Sequence, residues 1–138
     1  LEGLKAEQAA KQEQADQKQA DLRQAIETAV RGKVKASKAY GDYTLEFAAL
    51  DEGKCNLRLV YAKGPMDRGE AELLSKAAVL AALEAYQAKG IQPARAGLDV
   101  RARVFTAAKG VTGEDLVNIY GVASYNHNND QIEWKRED

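Results

Sequence analysis

Residues 67–90 read DRGEAELLSKAAVLAALEAYQAKG, and this stretch decides the fold. Its alanine, leucine, glutamate and lysine content, without proline, predicts a helix over residues 67–89. Glu70 and Glu72 suit the positive end of the helix dipole, and Gly90 suits the left-handed conformation that ends many helices. On a helical wheel the alanines gather on one arc and most large side chains on the other. The alanine arc predicts close packing on a sheet, and the bulkier arc predicts a second cover, from this chain or another copy.

The segment before this helix alternates apolar and polar residues with a period of two, which is typical of strands. We predict that Gly32 ends a preceding helix and that Val34 and Ala36 belong to a weak first strand. Stronger alternation over residues 43–49 and 55–61, on either side of an Asp-Glu-Gly turn, predicts two further strands. Because the connections are short, the three strands are predicted to form an antiparallel meander.

Alternation returns after the central helix. Residues 98–105 have the clearest in-and-out pattern in the chain, residues 117–125 predict a fifth strand, and residues 132–134 predict a last one. A turn of helix is predicted over residues 114–117 and a hairpin turn over residues 126–130. The sequence therefore predicts an α+β domain, with an N-terminal helix, an antiparallel sheet of about five to six strands and the central helix on one sheet face.

The N-terminal segment differs from the rest of the chain. Residues 1–21 consist mostly of alanine, glutamine, glutamate, lysine and aspartate, which favour helix but leave no apolar stripe to bury. We predict a polar helical stalk or tether over residues 1–21 and a single α+β domain over residues 22–138, with the helix docking near Leu22 and Ile26. A frayed or disordered terminus is the alternative.

Charge and composition limit the classes of partner. The net charge of −1 and an isoelectric point of about 6.0 argue against nucleic acid as a partner. The sequence has no apolar run long enough to span a membrane and no signal peptide. Because it begins with Leu1 and not with methionine, we expect a fragment whose membrane attachment, if any, is an upstream anchor. We expect a periplasmic or envelope-associated protein, with a cytoplasmic location as the alternative, and no cofactor.

Two residues are candidates for chemistry. Cys55 is the single cysteine and falls in the apolar phase of its strand, so we predict a buried thiol and not a nucleophile. His127 is the single histidine and lies among side-chain oxygens that could hold a cation. The run lacks the glycine and distant glutamate of a calcium loop, which favours a plain hairpin turn. We predict no metal site and no catalytic residue.

Aromatic and arginine residues of the last strands are the candidate binding groups. We predict that a protein partner, or a second copy of the chain, is recognised on the outer face of the sheet, because exposed aromatic and arginine side chains dominate many interfaces. The predicted residues are Arg101, Arg103, Phe105, Tyr120 and Trp134. Packing of the three aromatic residues under the N-terminal helix is the alternative.

The order of elements over residues 44–83 resembles the energy-transducing C-terminal domains of the TonB and TolA type, which also follow long stalks. The shared order is a strand, a tight Asp-Glu-Gly turn, a second strand and an alanine-rich helix. The paired serines before the helix and the aromatic-proline segment after it are absent here. The resemblance implies an architecture and carries little weight for function.

Together these features predict a non-enzymatic protein-interaction or assembly domain on a helical stalk, from a bacterial cell-envelope protein that self-associates or binds a protein partner. The alternative is a small enzyme or ligand-binding module whose pocket lies between helix and sheet and is lined by Tyr61, Tyr86 and Tyr120.

Overall fold

The computed structural model describes residues 2–51 and 53–137. Its helices are α1 (Glu2–Lys33), α2 (Arg68–Ala88) and α3 (Pro93–Ala96). Its strands are β1 (Tyr43–Leu50), β2 (Lys54–Tyr61), β3 (Asp99–Lys109), β4 (Asp115–Ile119), β5 (Gly121–Asn126) and β6 (Gln131–Arg136). The strands form one sheet in the order β1-β2-β3-β5-β6, and β4 pairs with the far half of β3. The predicted α+β class, with an N-terminal helix and a central helix on a mostly antiparallel sheet, is confirmed.

The central helix α2 is formed as its sequence predicts. Asp67 caps its first turn by accepting a hydrogen bond from the Glu70 backbone N–H at 3.2 Å, and Gly90 follows it with a positive φ of 83°. Most of the alanine arc is buried, but Ala85 and Ala88 line a groove with Ala25 and Ala29 of α1, so this arc does not pack on the sheet alone. Val79, Leu83 and Tyr86 of the bulkier arc are also buried, and the Tyr86 hydroxyl donates to the Asp51 carbonyl just after β1 at 2.8 Å. Helix α1 packs along α2, with Lys33 paired to Glu84 at 3.2 Å.

Helix α1 continues past the glycine that was predicted to end it. Gly32 lies inside α1, and the strand predicted at Val34 and Ala36 is wrong. Val30 and Val34 are both buried, and the Val34 N–H donates to the Val30 carbonyl at 2.7 Å. An exposed glycine costs a helix about 1 kcal/mol relative to alanine. Burying two valines contributes about 1.5–3 kcal/mol each, so the helix persists.

One pair of neighbouring strands is parallel. β2 and β3 run side by side from Lys54 opposite Asp99 to Tyr61 opposite Thr106, and α2 is the crossover between them. The sheet was predicted to be antiparallel, and this pair is the exception. A strand that returns through one helix to the adjacent position runs parallel to the strand before the helix. The meander before α2 accordingly has two strands, β1 and β2, and not three.

The predicted fifth strand is divided at Tyr120. The pairing register to β3 shifts by one residue between Ile119 and Ala123, which makes β4 and β5 separate strands. The helical turn predicted over residues 114–117 is also wrong, because β4 already begins at Asp115. Tyr120 is turned inward at the shift, where its hydroxyl lies 2.8 Å from the Thr106 hydroxyl and accepts from the Met66 N–H at 2.7 Å.

Both long helices cover the same face of the sheet, which we call the inner face. β1 and β2 present Tyr43, Leu57, Leu59 and Tyr61 to this side, and all four are buried. Among the described side chains of α1, which begin at residue 13, those before Leu22 are exposed and Leu22 is the first that is buried. The opposite face, which we call the outer face, has no helix over it among the described residues.

Candidate interaction surface

The outer face has an apolar row and a charged row across neighbouring strands. Val60 lies opposite Phe105 in the parallel pair, and Phe105 lies opposite Ile119 in the next pair. One step along the strands, Arg58 lies opposite Arg103. The Arg58 guanidinium sits 5.9 Å from the centre of the Phe105 ring, within range of a cation–π interaction. The outer face therefore offers apolar contacts next to arginine donors, as interface cores and rims often do.

The structure gathers three of the five predicted binding residues. Arg101, Arg103 and Phe105 share the outer face, since their neighbours in β3 are buried on the inner face. Arg103 is also bound within the chain, donating to both carboxylate oxygens of Glu137 at 2.9 and 3.4 Å. The strand alternation of β3 is thus as predicted, and Arg101 is the exposed arginine of this group.

The other two predicted residues lie elsewhere, so the five do not form one patch. Tyr120 is only 6% exposed and points to the inner side. Trp134 is opposite Ala123 and packs on Gly121, where an added Cβ would lie 2.6 Å from the indole Cζ2. The register shift at Tyr120 sets both positions. Neither residue lies under α1, which covers β1 near the opposite edge of the sheet.

Exposed apolar side chains concentrate on the hairpin of β3 and β4 instead. Six large hydrophobic side chains are exposed among the described residues, and four of them lie between residues 111 and 119. Val111 is fully exposed at the tip, and Leu116, Val117 and Ile119 are 50%, 47% and 47% exposed. We call β4, Asp115–Ile119, the hairpin edge. Sequence reasoning missed it, although the glycine pair 110 and 113 around a short loop is a hairpin signal.

The backbone of the hairpin edge has unpaired hydrogen-bonding groups. The Gly110 N–H donates to the Glu114 carbonyl at 2.8 Å, so residues 110 and 114 form a hydrogen-bonded pair. Bonded and non-bonded pairs alternate along an antiparallel pair of strands, and this first pair therefore identifies the bonded residues of β4. Leu116 and Asn118 are then the β4 residues bonded to β3. The residues whose N–H and C=O point away from β3 are Asp115, Val117 and Ile119. Within the described chain no strand pairs with that side of β4.

The other two sheet edges have the features that normally prevent strand addition. β1 contains a register shift between Phe47 and Ala49, and α1 lies over it. β6 alternates charged residues, with Glu133 and Lys135 on its outer side. β4 has neither a register shift nor a charge between Leu116 and Ile119, so the hairpin edge is the least protected edge of the sheet.

The remaining candidate residues lie apart. Tyr61 and Tyr86 each donate a hydroxyl to a different backbone carbonyl, at Lys35 and Asp51, whereas the Tyr120 hydroxyl bonds to Met66 and Thr106. These tyrosines fill the core and do not line one shared pocket. A cleft of about 350 Å³ lies between α1 and the loops after β1 and α2, with a charged rim.

Cys55 is buried and His127 lies in a hairpin turn, as the sequence predicts. Cys55 is buried, and burial raises the pKa of its thiol to about 12, which keeps it protonated and unreactive at neutral pH. His127 lies in the turn between β5 and β6, with Nδ1 3.1 Å from an Asp99 carboxylate oxygen. Among the described residues no three His, Cys, Asp or Glu side chains converge on a metal position.

Comparison of the chain with protein-family models, curated proteins and solved structures gives no match. None of the described helices is both long enough and apolar enough to cross a membrane. The fold and the surface together define an α+β domain with an open, apolar strand edge.

Proposed function

We propose that this chain is a non-enzymatic protein-interaction domain that binds its partner through the hairpin edge and the adjoining outer face. The observation that carries the proposal is the grouping of Leu116, Val117 and Ile119, each about half exposed, on one edge strand. Soluble domains rarely leave contiguous apolar groups in water unless a partner covers them. The burial of Cys55, which raises the pKa of its thiol, also favours binding over thiol chemistry.

The size of the exposed group suits a transient interaction. Fully burying a valine, leucine or isoleucine contributes about 1.5–3 kcal/mol, so covering the exposed half of each contributes about 1 kcal/mol. Three such side chains give about 3 kcal/mol before backbone hydrogen bonds and outer-face contacts are added. Because association itself costs several kcal/mol, we expect weak and reversible binding.

Site-specific photo-crosslinking tests the proposal. A benzophenone amino acid is placed at Val117, and at Leu73 in a matched control, because Leu73 is also exposed but lies on α2. In cells that make the protein, we expect protein adducts from position 117 and few from position 73. Equal adduct yields at the two positions, or none at position 117, would contradict an interaction site at the hairpin edge.

The helical stalk and the envelope location belong to the same proposal. The Gln19 side chain already donates to the Leu50 carbonyl at 2.8 Å, so the proposed segment that holds the domain away from its attachment point lies before Gln19. Self-association is tested by sedimentation velocity of the whole chain and of a chain lacking residues 1–21. Fractionation of cells making the natural protein tests the location, and a wholly cytoplasmic protein would remove the envelope part of the proposal.

A further inference from the structure

We infer that the partner at the hairpin edge is an extended peptide segment that adds to the sheet as a strand beside β4. This inference rests on the proposed function and names the chemistry of its partner. It follows from the geometry of three open backbone positions and from the side chains that flank them.

The backbone supplies the first argument. Asp115, Val117 and Ile119 direct their N–H and C=O groups away from β3, at the alternating spacing that an incoming strand requires. β6 pairs with β5 on this same side, opposite β3, and it reaches the end of β4, where the Glu137 N–H donates to the Tyr120 carbonyl at 3.0 Å. β6 ends at Arg136, Glu137 lies beside Tyr120, and no strand of the described residues lies on this side of β4.

The side chains define the sequence that fits. Val117 and Ile119 share the outer face with Phe105, so the partner residues beside them are apolar. On the inner side Leu116 is half exposed, and the amide of Asn118 already donates to the Thr106 hydroxyl at 2.9 Å. Threonine, with a methyl group and a hydroxyl, therefore suits the partner position on that side. No charged side chain lies between Leu116 and Ile119 to pair with a charged partner. The segment therefore has an uncharged centre with apolar residues at alternate positions on its outer side.

The position of β6 favours a single segment over a second copy of the chain. In an antiparallel pairing of two complete β4 strands, residue 114 of the second copy lies opposite Tyr120. The backbone of Glu137 already occupies that position. A second hairpin would therefore bring its tip against β6, while a lone extended segment has no tip to place there.

The test uses a synthetic acetylated, amidated peptide, Lys-Thr-Val-Thr-Val-Thr-Lys, and the same peptide with proline in place of both valines, whose N–H groups would bond to β4 in an antiparallel pairing. Amide hydrogen exchange is measured residue by residue at millimolar peptide. We expect exchange at Val117 and Ile119 to slow at least tenfold with the first peptide and to be unchanged with the second. The amides of Leu116 and Asn118, which already bond to β3, serve as internal references. Val117→Lys should abolish the protection, and Val111→Lys at the hairpin tip should retain it.

A tethered version removes weak affinity as an explanation of failure. The alternating valine and threonine segment is appended after the last residue of the chain, next to a matched glycine and serine tail, which raises its effective concentration. If neither the free nor the tethered segment protects Val117 and Ile119, strand addition is refuted, although crosslinks from position 117 would still support an interaction domain. Peptide-independent protection that grows with protein concentration and accompanies a dimer would also refute it, in favour of a second copy.

Discussion

Replacing Tyr120 with phenylalanine should lower the free energy of unfolding far more than removing an exposed tyrosine hydroxyl would. The Tyr120 hydroxyl accepts from the Met66 N–H at 2.7 Å and lies 2.8 Å from the Thr106 hydroxyl, and all three residues are buried. Phenylalanine keeps the ring, so no large cavity is formed, but the Met66 N–H loses its partner away from water. A buried donor left unpaired costs about 1–3 kcal/mol. We therefore expect the free energy of unfolding to fall by about 2 kcal/mol.

The chain contains a matched control for this substitution. Tyr40 also accepts a backbone N–H with its hydroxyl, from Asp67, but the distance is 3.4 Å and the bond is exposed. Water can replace that bond, so Tyr40→Phe should cost less than about 0.5 kcal/mol. Urea denaturation followed by circular dichroism measures both variants, with equal m-values showing that the folded states are comparable. Equal costs for the two substitutions would refute the role given to Tyr120 in fixing the register shift.

Four further predictions test the bonding pattern of β4, two glycines and the buried thiol. Leu116→Pro should lower the free energy of unfolding by about 1 kcal/mol more than Val117→Pro, measured by urea denaturation, because only residue 116 gives up an N–H bonded to β3. Gly121→Ala should lower the melting temperature, at a cost of about 2 kcal/mol, since its Cβ would lie 2.5 Å from a backbone oxygen. Gly32→Ala should raise the melting temperature, because alanine favours helix by about 1 kcal/mol and nothing lies within 4 Å of the added Cβ. Burial raises the pKa of the Cys55 thiol to about 12, so Cys55 should resist maleimide at pH 8 until urea unfolds the chain. Rapid labelling of the folded protein would contradict this.

The parts of the fold set by short-range chemistry could be predicted from the sequence. The Asp67 cap, the alanine arc and Gly90 all act within α2, so its bounds were accessible. The alternation in β3 correctly placed Arg101 and Phe105 on one face. The parallel pairing of β2 and β3 was not predicted, because only the structure shows that the strand after α2 returns to the position beside β2.

The errors lie where distant contacts outweigh a local preference. Gly32 locally favours a helix end, but buried Val34 lies one turn beyond Val30 and holds α1 together. The register shift at Tyr120 depends on Thr106 and Met66, and nothing in the alternation around Tyr120 indicates either partner. Because the candidate surface results from that shift, the hairpin edge could not be located from the pattern alone.

The inward turn of Tyr120 links the interior of the domain to its open edge. Without a register shift, Val117 and Ile119 would share a face with Ala123 and Tyr125, and one pair or the other would be on the wrong side of the sheet. The shift lets Ala123 and Tyr125 enter the core while Val117 and Ile119 face outward. It thereby gives one continuous segment a buried half, covered by α2 and paired with β6, and an apolar half with a free edge. The same hydroxyl that stabilises the core therefore also determines which side chains the hairpin edge presents to a partner.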